Sequence, residues 1–420
     1  PLFRSLSRPL FRALSGSSGG GVQPLRYATT ANFTIRADES RNRANYVSYF
    51  TFFTGGGDLK SIVLAFDAAM SSTTLTNGLL LDTPNDLPIT KVAVECNGIS
   101  HPVTFGGSRA RILLSGEYDV HCDSIPASAF NLSTIPINTQ ITIKLRIDLT
   151  STSHQVPYTA FDTRISTNDM VLFFDDAATV SDVDTFGPFT QSGGSRNERI
   201  NGYHPRILGV HTTAIKSIIA CGDSITIGTG DSALNTISGA GWFNRMVNLY
   251  PGPKPASCNL AVHGSQSDLG LSDSRLSAIY VYATDGVIAH GANDIGASGT
   301  GTVSTLISNQ TTRIQQFRTA GITNVLAMHL TPRTQSTDDW STEANQTPNT
   351  GWGVGGKSLE YSGLLSGLDV DVELTMNSIR GTDVVKWLVN GTAQYAVVDE
   401  IHPSSVGHAL MAQDAYDISG

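Results

Sequence analysis

The chain is poor in cysteine and in charge, and it has no long apolar run. Four cysteines occur in 420 residues, Cys96, Cys122, Cys221 and Cys258, and no two form a CxxC pair. That excludes a disulfide-stapled scaffold and a cysteine-based zinc site. Cys221 and Cys258 fall in strand-like apolar runs and read as small core residues, while Cys96 and Cys122 are compatible with a bridge or with two thiols. Charged residues make up 15% of the chain, the formal net charge is −9, and no Lys/Arg-rich stretch with interleaved aromatics occurs. A nucleic-acid partner is therefore not expected. No apolar run approaches the ~18 residues of a membrane-spanning helix. The first twenty residues carry Arg4, Arg8 and Arg12 without a continuous apolar segment, which is not the pattern of a signal peptide.

What is present divides into three regions. Residues 1–27 are an Arg-, Ser- and Gly-rich leader in which Pro-Leu-Phe-Arg-(Ser/Ala)-Leu-Ser occurs twice. It reads as a flexible tether and resembles short leaders on some phage tail proteins, which implies an extracellular or virion-associated setting. Residues 28–205 carry short runs rich in Val, Ile, Phe, Tyr and Thr at 46–53, 61–66, 91–95, 110–114, 140–147 and 170–174, separated by turn residues. Ile141-Thr142-Ile143-Lys144-Leu145-Arg146-Ile147 alternates strictly, the period of a strand with one buried face. A β-sandwich or jelly roll is expected, with carbohydrate binding as its candidate role. Asp175, Asp176, Asp182 and Asp184 have no spacing of a calcium loop and read as a solvated turn.

From residue 206 to 420 strand-length apolar runs alternate with helical stretches. Strands are expected at 216–221, 258–262, 286–289, 325–329 and 395–398, and helices at 240–250, 269–282, 303–319 and 405–418. This alternation implies a mainly parallel sheet with helices on both faces. Residues 332–392 form an insertion that holds Trp340, Trp352 and Trp387. Within it Gly351-Trp-Gly-Val-Gly-Gly356-Lys357-Ser358 satisfies the phosphate-loop pattern. A phosphate loop needs a buried strand before it and an unbroken helix after it, whereas here the upstream residues are polar and Gly363 and Gly367 follow. Nucleotide binding is not expected. The leader's Gly16-Ser17-Ser18-Gly19-Gly20 satisfies GxSxG without a preceding strand and reads as linker.

In a parallel sheet every strand ends at the same edge, and ligands bind there. Four strand ends carry polar residues that meet at that edge. They are Gly222-Asp223-Ser224-Ile225-Thr226, Asn259-Leu260-Ala261-Val262-His263-Gly264, Gly291-Ala292-Asn293-Asp294 and Asp399-Glu400-Ile401-His402-Pro403. A serine nucleophile needs a base, the base needs a group to orient it, and the developing oxyanion needs donors. Ser224 is the candidate nucleophile and His402 the base. Asp399, three residues before His402, can reach its other ring nitrogen. The backbone N–H groups of Ser224 and Gly264 and the Asn293 side-chain amide are the candidate oxyanion donors. His101, His121, His154, His204, His211, His329 and His408 lack paired metal spacing and read as structural; no metal site is expected.

Block by block, residues 206–420 resemble the SGNH (GDSL-type) hydrolases. The resemblance implies a three-layer α/β/α fold with a flavodoxin-like sheet, a Ser224–His402–Asp399 triad, an oxyanion hole of Ser224, Gly264 and Asn293, and no metal or organic cofactor. His263 and His290, which precede the second and third blocks, depart from the pattern and are candidate substrate contacts. Asp223, Trp340 and Trp352 complete that set, the tryptophans because aromatic faces suit sugar rings. The expected activity is hydrolysis of small acyl esters, acetyl above all, on an acylated glycan. The alternatives are a lipase or thioesterase of longer acyl preference, and a phage tail or adhesin protein that binds glycans with secondary deacetylation.

Overall fold

The computed structural model describes residues 23–30, 45–70, 81–149, 151, 156, 170–174, 179–180, 182–192, 197–199, 203–232, 240–296, 301–349, 351–352 and 356–419. Residues 1–22, with the leader's GxSxG match, lie outside them, as do His154, Asp175 and Asp176.

Among the described residues, two large antiparallel sheets dominate the N-terminal half. The larger runs in the order Asn197–Arg199, Met170–Phe174, Asn45–Phe53, Gln140–Asp148, Leu87–Cys96, Ile99–Pro102. The other runs Leu25–Tyr27, Arg206–His211, Leu59–Phe66, Ile125–Pro126. Alternate residues of Gln140–Asp148 point between the sheets: Ile141, Ile143, Leu145 and Ile147 share one core with Leu59, Ile62, Leu64 and Phe66. This is the sandwich that the period of two requires. The opposite face departs from expectation. Lys144 is fully buried, because residues 182–189 fold across it. Its ammonium donates to the carbonyls of Thr185 and Gly187, lies 3.5 Å from Glu95 and sits 4.7 Å from the centre of the Phe189 ring. In the same segment Asp182 pairs with Lys91 and Asp184 with Arg109, so two carboxylates of the acidic turn are engaged by cations.

Arg206–His211 lies within the antiparallel sheet, paired to Leu59–Phe66 on one side and Leu25–Tyr27 on the other, and the parallel pattern starts at Ser217. The two halves share a continuous core in which Tyr27, Ala256, Ile279 and Tyr280 meet. Polar ties cross the same seam: Ser257 Oγ donates to Thr30 O at 2.6 Å and Tyr282 Oη to Asp119 at 2.6 Å. Beside them Arg206, 3% exposed, forms a fork onto the equally buried Asp67 and a 2.9 Å bond to Asp119.

The C-terminal half is α/β. Its five parallel strands stand in the order Ala256–Asn259, Ser217–Gly222, Asp285–Ala289, Asn324–Met328, Val372–Leu374, a 2-1-3-4-5 sheet. Helices Trp242–Leu249, Val303–Thr319, Lys357–Leu365 and Ser405–Ser419 accompany it. Helix Val303–Thr319 coincides with its sequence prediction because its start is chemically marked: the Thr302 hydroxyl accepts from Thr305 N at 3.0 Å.

Two expectations are corrected. The fifth strand is Val372–Leu374, inside the region read as insertion, and residues 395–398 form no strand. Ala396 and Val397 are buried, hence their strand-like appearance, but the place beside Asn324–Met328 is already filled. Residues 395–404 instead close a tight loop, with Val398 N donating to His402 O at 2.9 Å and Ser404 N to Ala396 O at 3.1 Å. The second correction concerns the phosphate-loop pattern: helix Lys357–Leu365 runs through Gly363 without a break. Lys357 and Ser358 donate to the carbonyls of Gly301 and Trp352, so both phosphate-type donors are engaged within the fold.

All four cysteines are free and buried, which resolves Cys96 and Cys122 in favour of thiols. Among the described residues no helix is long and apolar enough to cross a membrane, and no group of three His, Cys, Asp or Glu is placed to hold a metal ion.

Candidate active site

The first parallel strand ends at Gly222, and the chain turns at once into the short helix Ser224–Ile227. The turn depends on glycine: a Cβ at residue 222 would stand 2.4 Å from Thr226 Oγ1. Asp223 caps the helix, its Oδ1 accepting from Ile225 N at 3.0 Å. Gly228 closes it in the left-handed region at φ 105° and packs against Gly241, where a Cβ would meet backbone at 2.8 Å. Ser224 is thus held at the first helical position by a cap on one side and a glycine contact on the other.

The loop after residue 398 carries the candidate base. His402 Nε2 lies 2.9 Å from Ser224 Oγ, and His402 Nδ1 lies 2.8 Å from Asp399 Oδ2. The other carboxylate oxygen, Asp399 Oδ1, accepts from the N–H groups of Ile401 and His402, both at 2.7 Å. Burial alone would raise the Asp399 pKa; the His402 ring and those two N–H groups outweigh it and hold the carboxyl at about 2. An ionised Asp399 fixes the proton on Nδ1 and leaves Nε2 as the acceptor facing the serine hydroxyl.

The candidate oxyanion donors are Ser224 N itself and two groups from the neighbouring strand ends. Gly264 adopts φ 73°, and the N–H groups of Ser224 and Gly264 donate to no acceptor among the described residues. Asn293, on the helix Ala292–Ile295 that opens at Gly291, uses one amide hydrogen on Ser265 O at 3.0 Å and retains the second. The second-block loop is tied to the nucleophile strand by Ser265, whose Oγ donates to Gly222 O at 3.0 Å. That hydroxyl has a single proton, so His290 Nε2, 3.2 Å away, must be the donor to it. Burial pushes the His290 pKa down to about 3, consistent with a neutral ring.

The structure therefore brings Ser224, His402, Asp399, Gly264 and Asn293 to one sheet edge. Of the residues expected to touch substrate, His263 flanks the triad, its ring centre 6.1 Å from that of His402, and Trp340 is half-buried with its indole N–H on Thr334 Oγ1 at 3.0 Å. The other three are buried. Asp223 is 1% exposed and serves the helix as its cap. His290 is 2% exposed and lies beneath Ser265. Trp352 is 2% exposed, with its indole N–H on Thr331 O at 3.1 Å. In each case the side chain is buried and hydrogen-bonded within the fold.

Sequence reasoning missed Arg333, which has no motif around it. It is 8% exposed, donates through Nη1 to Ala292 O at 3.2 Å and lies 5.8 Å from the Trp352 ring centre. Burial lowers its pKa, opposed by the fields of Glu400 and Asp399. Arg333 is a positive charge set between the Asn293 helix and the His402 loop, and it links the two sides of the site electrostatically. The remaining described histidines have structural surroundings: His408 accepts from Trp242 N and bonds Thr229 O, His204 packs between Phe50 and Phe52, and His211 bonds Tyr27 O.

No protein-family model matches the chain, and no curated protein matches it. Among solved structures it is similar to a carbohydrate acetylesterase family member from Sinorhizobium meliloti, at 15% identity and TM-score 0.34, over 48% of this chain and 96% of that one. It is similar to a lipase/acylhydrolase from Enterococcus faecalis at 18% identity and TM-score 0.33, over 48% of this chain and 96% of that one. A protein of Bacillus subtilis is similar over 94% of this chain and 87% of its own, at 11% identity and TM-score 0.34.

Proposed function

We propose that the protein is a serine esterase of the SGNH (GDSL-type) kind that hydrolyses small acyl esters, acetyl above all, carried on carbohydrate. The observation that carries this reading is the unbroken hydrogen-bond chain Ser224 Oγ–His402 Nε2 and His402 Nδ1–Asp399 Oδ2, at 2.9 and 2.8 Å, beside three oxyanion donors.

The chemistry follows from the protons. Ser224 Oγ attacks the ester carbonyl carbon while its proton passes to His402 Nε2. The imidazolium is stabilised by Asp399, which stays a carboxylate throughout. The carbonyl oxygen, now an oxyanion, receives hydrogen bonds from Ser224 N, Gly264 N and Asn293 Nδ2. His402 gives its proton to the departing alkoxide, the alcohol leaves, and an acyl-serine remains. Water then adds to the acyl carbon with His402 again taking a proton. Collapse of this second intermediate releases the carboxylic acid and restores Ser224.

The test is hydrolysis of p-nitrophenyl acetate by wild type and by Ser224→Ala. Loss of a nucleophile that acts as one unit with its base costs about 10⁴- to 10⁶-fold in kcat. The variant is expected to lose activity to that extent at an unchanged melting temperature. Retained hydrolysis, or an inactive wild type, would overturn the assignment.

A further inference from the structure

Next along the chain from Gly264 and Asn293 lies a cavity of about 300 Å³ lined by Gln266, Asp268, Asp294, Thr302, Thr305 and Asn309, with Leu306 as its one apolar side chain. We propose that it is the subsite for the alcohol moiety of the ester, holding one neutral, hydroxyl-bearing sugar ring; this rests on the esterase reading above.

Its position is the first argument. The segment 264–268 and the helix Ala292–Ile295 each serve both sites. They carry the candidate donors Gly264 N and Asn293 Nδ2, and Gln266, Asp268 and Asp294, one to four residues further along, line the cavity. The two elements are joined where they meet: Gln266 Nε2 donates to Asn293 O at 3.1 Å, and Ser267 N donates to Asp294 Oδ1 at 2.9 Å. An ester whose carbonyl oxygen rests on Gly264 and Asn293 is thus held by the same two chain segments that line the cavity.

The chemistry of the lining is the second argument. Half of the side-chain donor hydrogens are used within the wall, and one each on Asn309, Gln266 and the Thr302/Thr305 pair remains for a ligand. Asn309 Nδ2 donates to Ser267 Oγ at 2.9 Å, Gln266 Nε2 is committed to Asn293 O, and the Thr302 and Thr305 hydroxyls face each other at 2.8 Å. Asp294 accepts from Ser267 through both oxygens, and other acceptors are left over. The Asp268 carboxylate accepts no hydrogen bond from the described residues, and neither do Gln266 Oε1 and Asn309 Oδ1. A cavity with two carboxylates and surplus amide oxygens repels an anion and offers little to an acyl chain. It suits a ligand rich in O–H donors. The volume is the third argument: about 300 Å³ stands at the lower end of the ~300–1,000 Å³ typical of small-molecule sites, which is room for one ring rather than a glycan chain.

Asp268→Ala isolates the claim, because the carboxylate has no internal hydrogen bond whose loss would disturb the fold. Hydrolysis is measured on a panel of monoacetylated methyl hexosides and xylosides and, in parallel, on p-nitrophenyl acetate, whose alcohol moiety has no sugar hydroxyls. A lost hydrogen bond to a charged acceptor corresponds to about a 10- to 100-fold change. The variant is expected to lose that much in kcat/KM on the saccharide acetates, through KM, and to stay within about twofold on p-nitrophenyl acetate. An equal loss on both, or no loss on either, overturns the subsite while leaving the esterase intact. If wild type hydrolyses nothing, the esterase reading fails. The cavity is then judged by calorimetric titration of the intact protein with the free methyl glycosides: heat of binding that Asp268→Ala abolishes supports the subsite, and its absence overturns it.

Discussion

Replacing Asp399 by Asn separates what the carboxylate holds from what it does. Its Oδ1 accepts two backbone N–H groups at 2.7 Å and its Oδ2 faces His402 Nδ1 at 2.8 Å. In Asp399→Asn the amide oxygen takes the Oδ1 place, because only an acceptor fits two N–H donors. The NH₂ group then points at Nδ1, which can meet it only as an unprotonated acceptor. The imidazole proton is driven to Nε2, the atom that must receive the proton of Ser224. The loop keeps its shape and the base carries the wrong tautomer. In serine proteases the equivalent replacement lowers kcat about 10⁴-fold, which at 1.36 kcal/mol per decade is about 5 kcal/mol of transition-state stabilisation. The same loss is expected here in p-nitrophenyl acetate hydrolysis. Folding should be little affected, since the Asp399 side chain is 49% exposed and its backbone acceptor role is retained. A kcat within tenfold of wild type, with the variant folded, would refute the role given to Asp399.

Two further outcomes concern stability. Burial, with repulsion from Asp294, raises the Asp223 pKa to about 7 against the Ile225 N–H bond and the attraction of His402. Folding therefore takes up a proton between pH ~4, the ordinary carboxyl value, and pH 7, so stability falls as pH rises through that window and is level above it. The full span is about 4 kcal/mol. Asp223→Asn keeps the cap acceptor and removes the titration, so its melting temperature should fall less than that of wild type between pH 5 and pH 8; parallel falls would sink the explanation. Arg206→Ala leaves Asp67 buried without its cation, at a cost of about 3–5 kcal/mol, measurable as a lower urea midpoint. A change under ~1 kcal/mol, the size of an exposed pair's contribution, would show that the fork adds nothing to stability.

The regions of the molecule legible in the sequence were those marked by local chemistry. Ser217–Gly222 and Asp285–Ala289 are fully buried strands and so read as unbroken apolar runs. The strand ends were legible because glycine, serine, asparagine and histidine cluster where apolar runs stop. What escaped depends on contacts distant in sequence. Val372–Leu374 is three residues long and carries Glu373, too short for any period to declare it. Lys144 sits in an alternation that predicts exposure, and only the segment 182–189 crossing above it makes the site dry. Asp223 and His290 carry polar side chains on the loops of the candidate site, yet their orientation is decided by a helix cap and by Ser265. Arg333 lies in no motif; its importance comes from the field it shares with Asp399 and Glu400.

The placement of Arg206–His211 between Leu25–Tyr27 and Leu59–Phe66 has an evolutionary and practical meaning. A chain ended at residue 205 would open a gap in the middle of a sheet, with the backbone groups of two strands left without their ladder partner. Recombination at the visible change of sequence texture would thus damage both products. Exchange of the N-terminal region between relatives has to carry the segment up to about residue 212 with it. Even then the recipient must reproduce the apolar seam around Tyr27, Ile279 and Tyr280. The α/β half and its β-sheet companion are joined through one shared strand and one shared core.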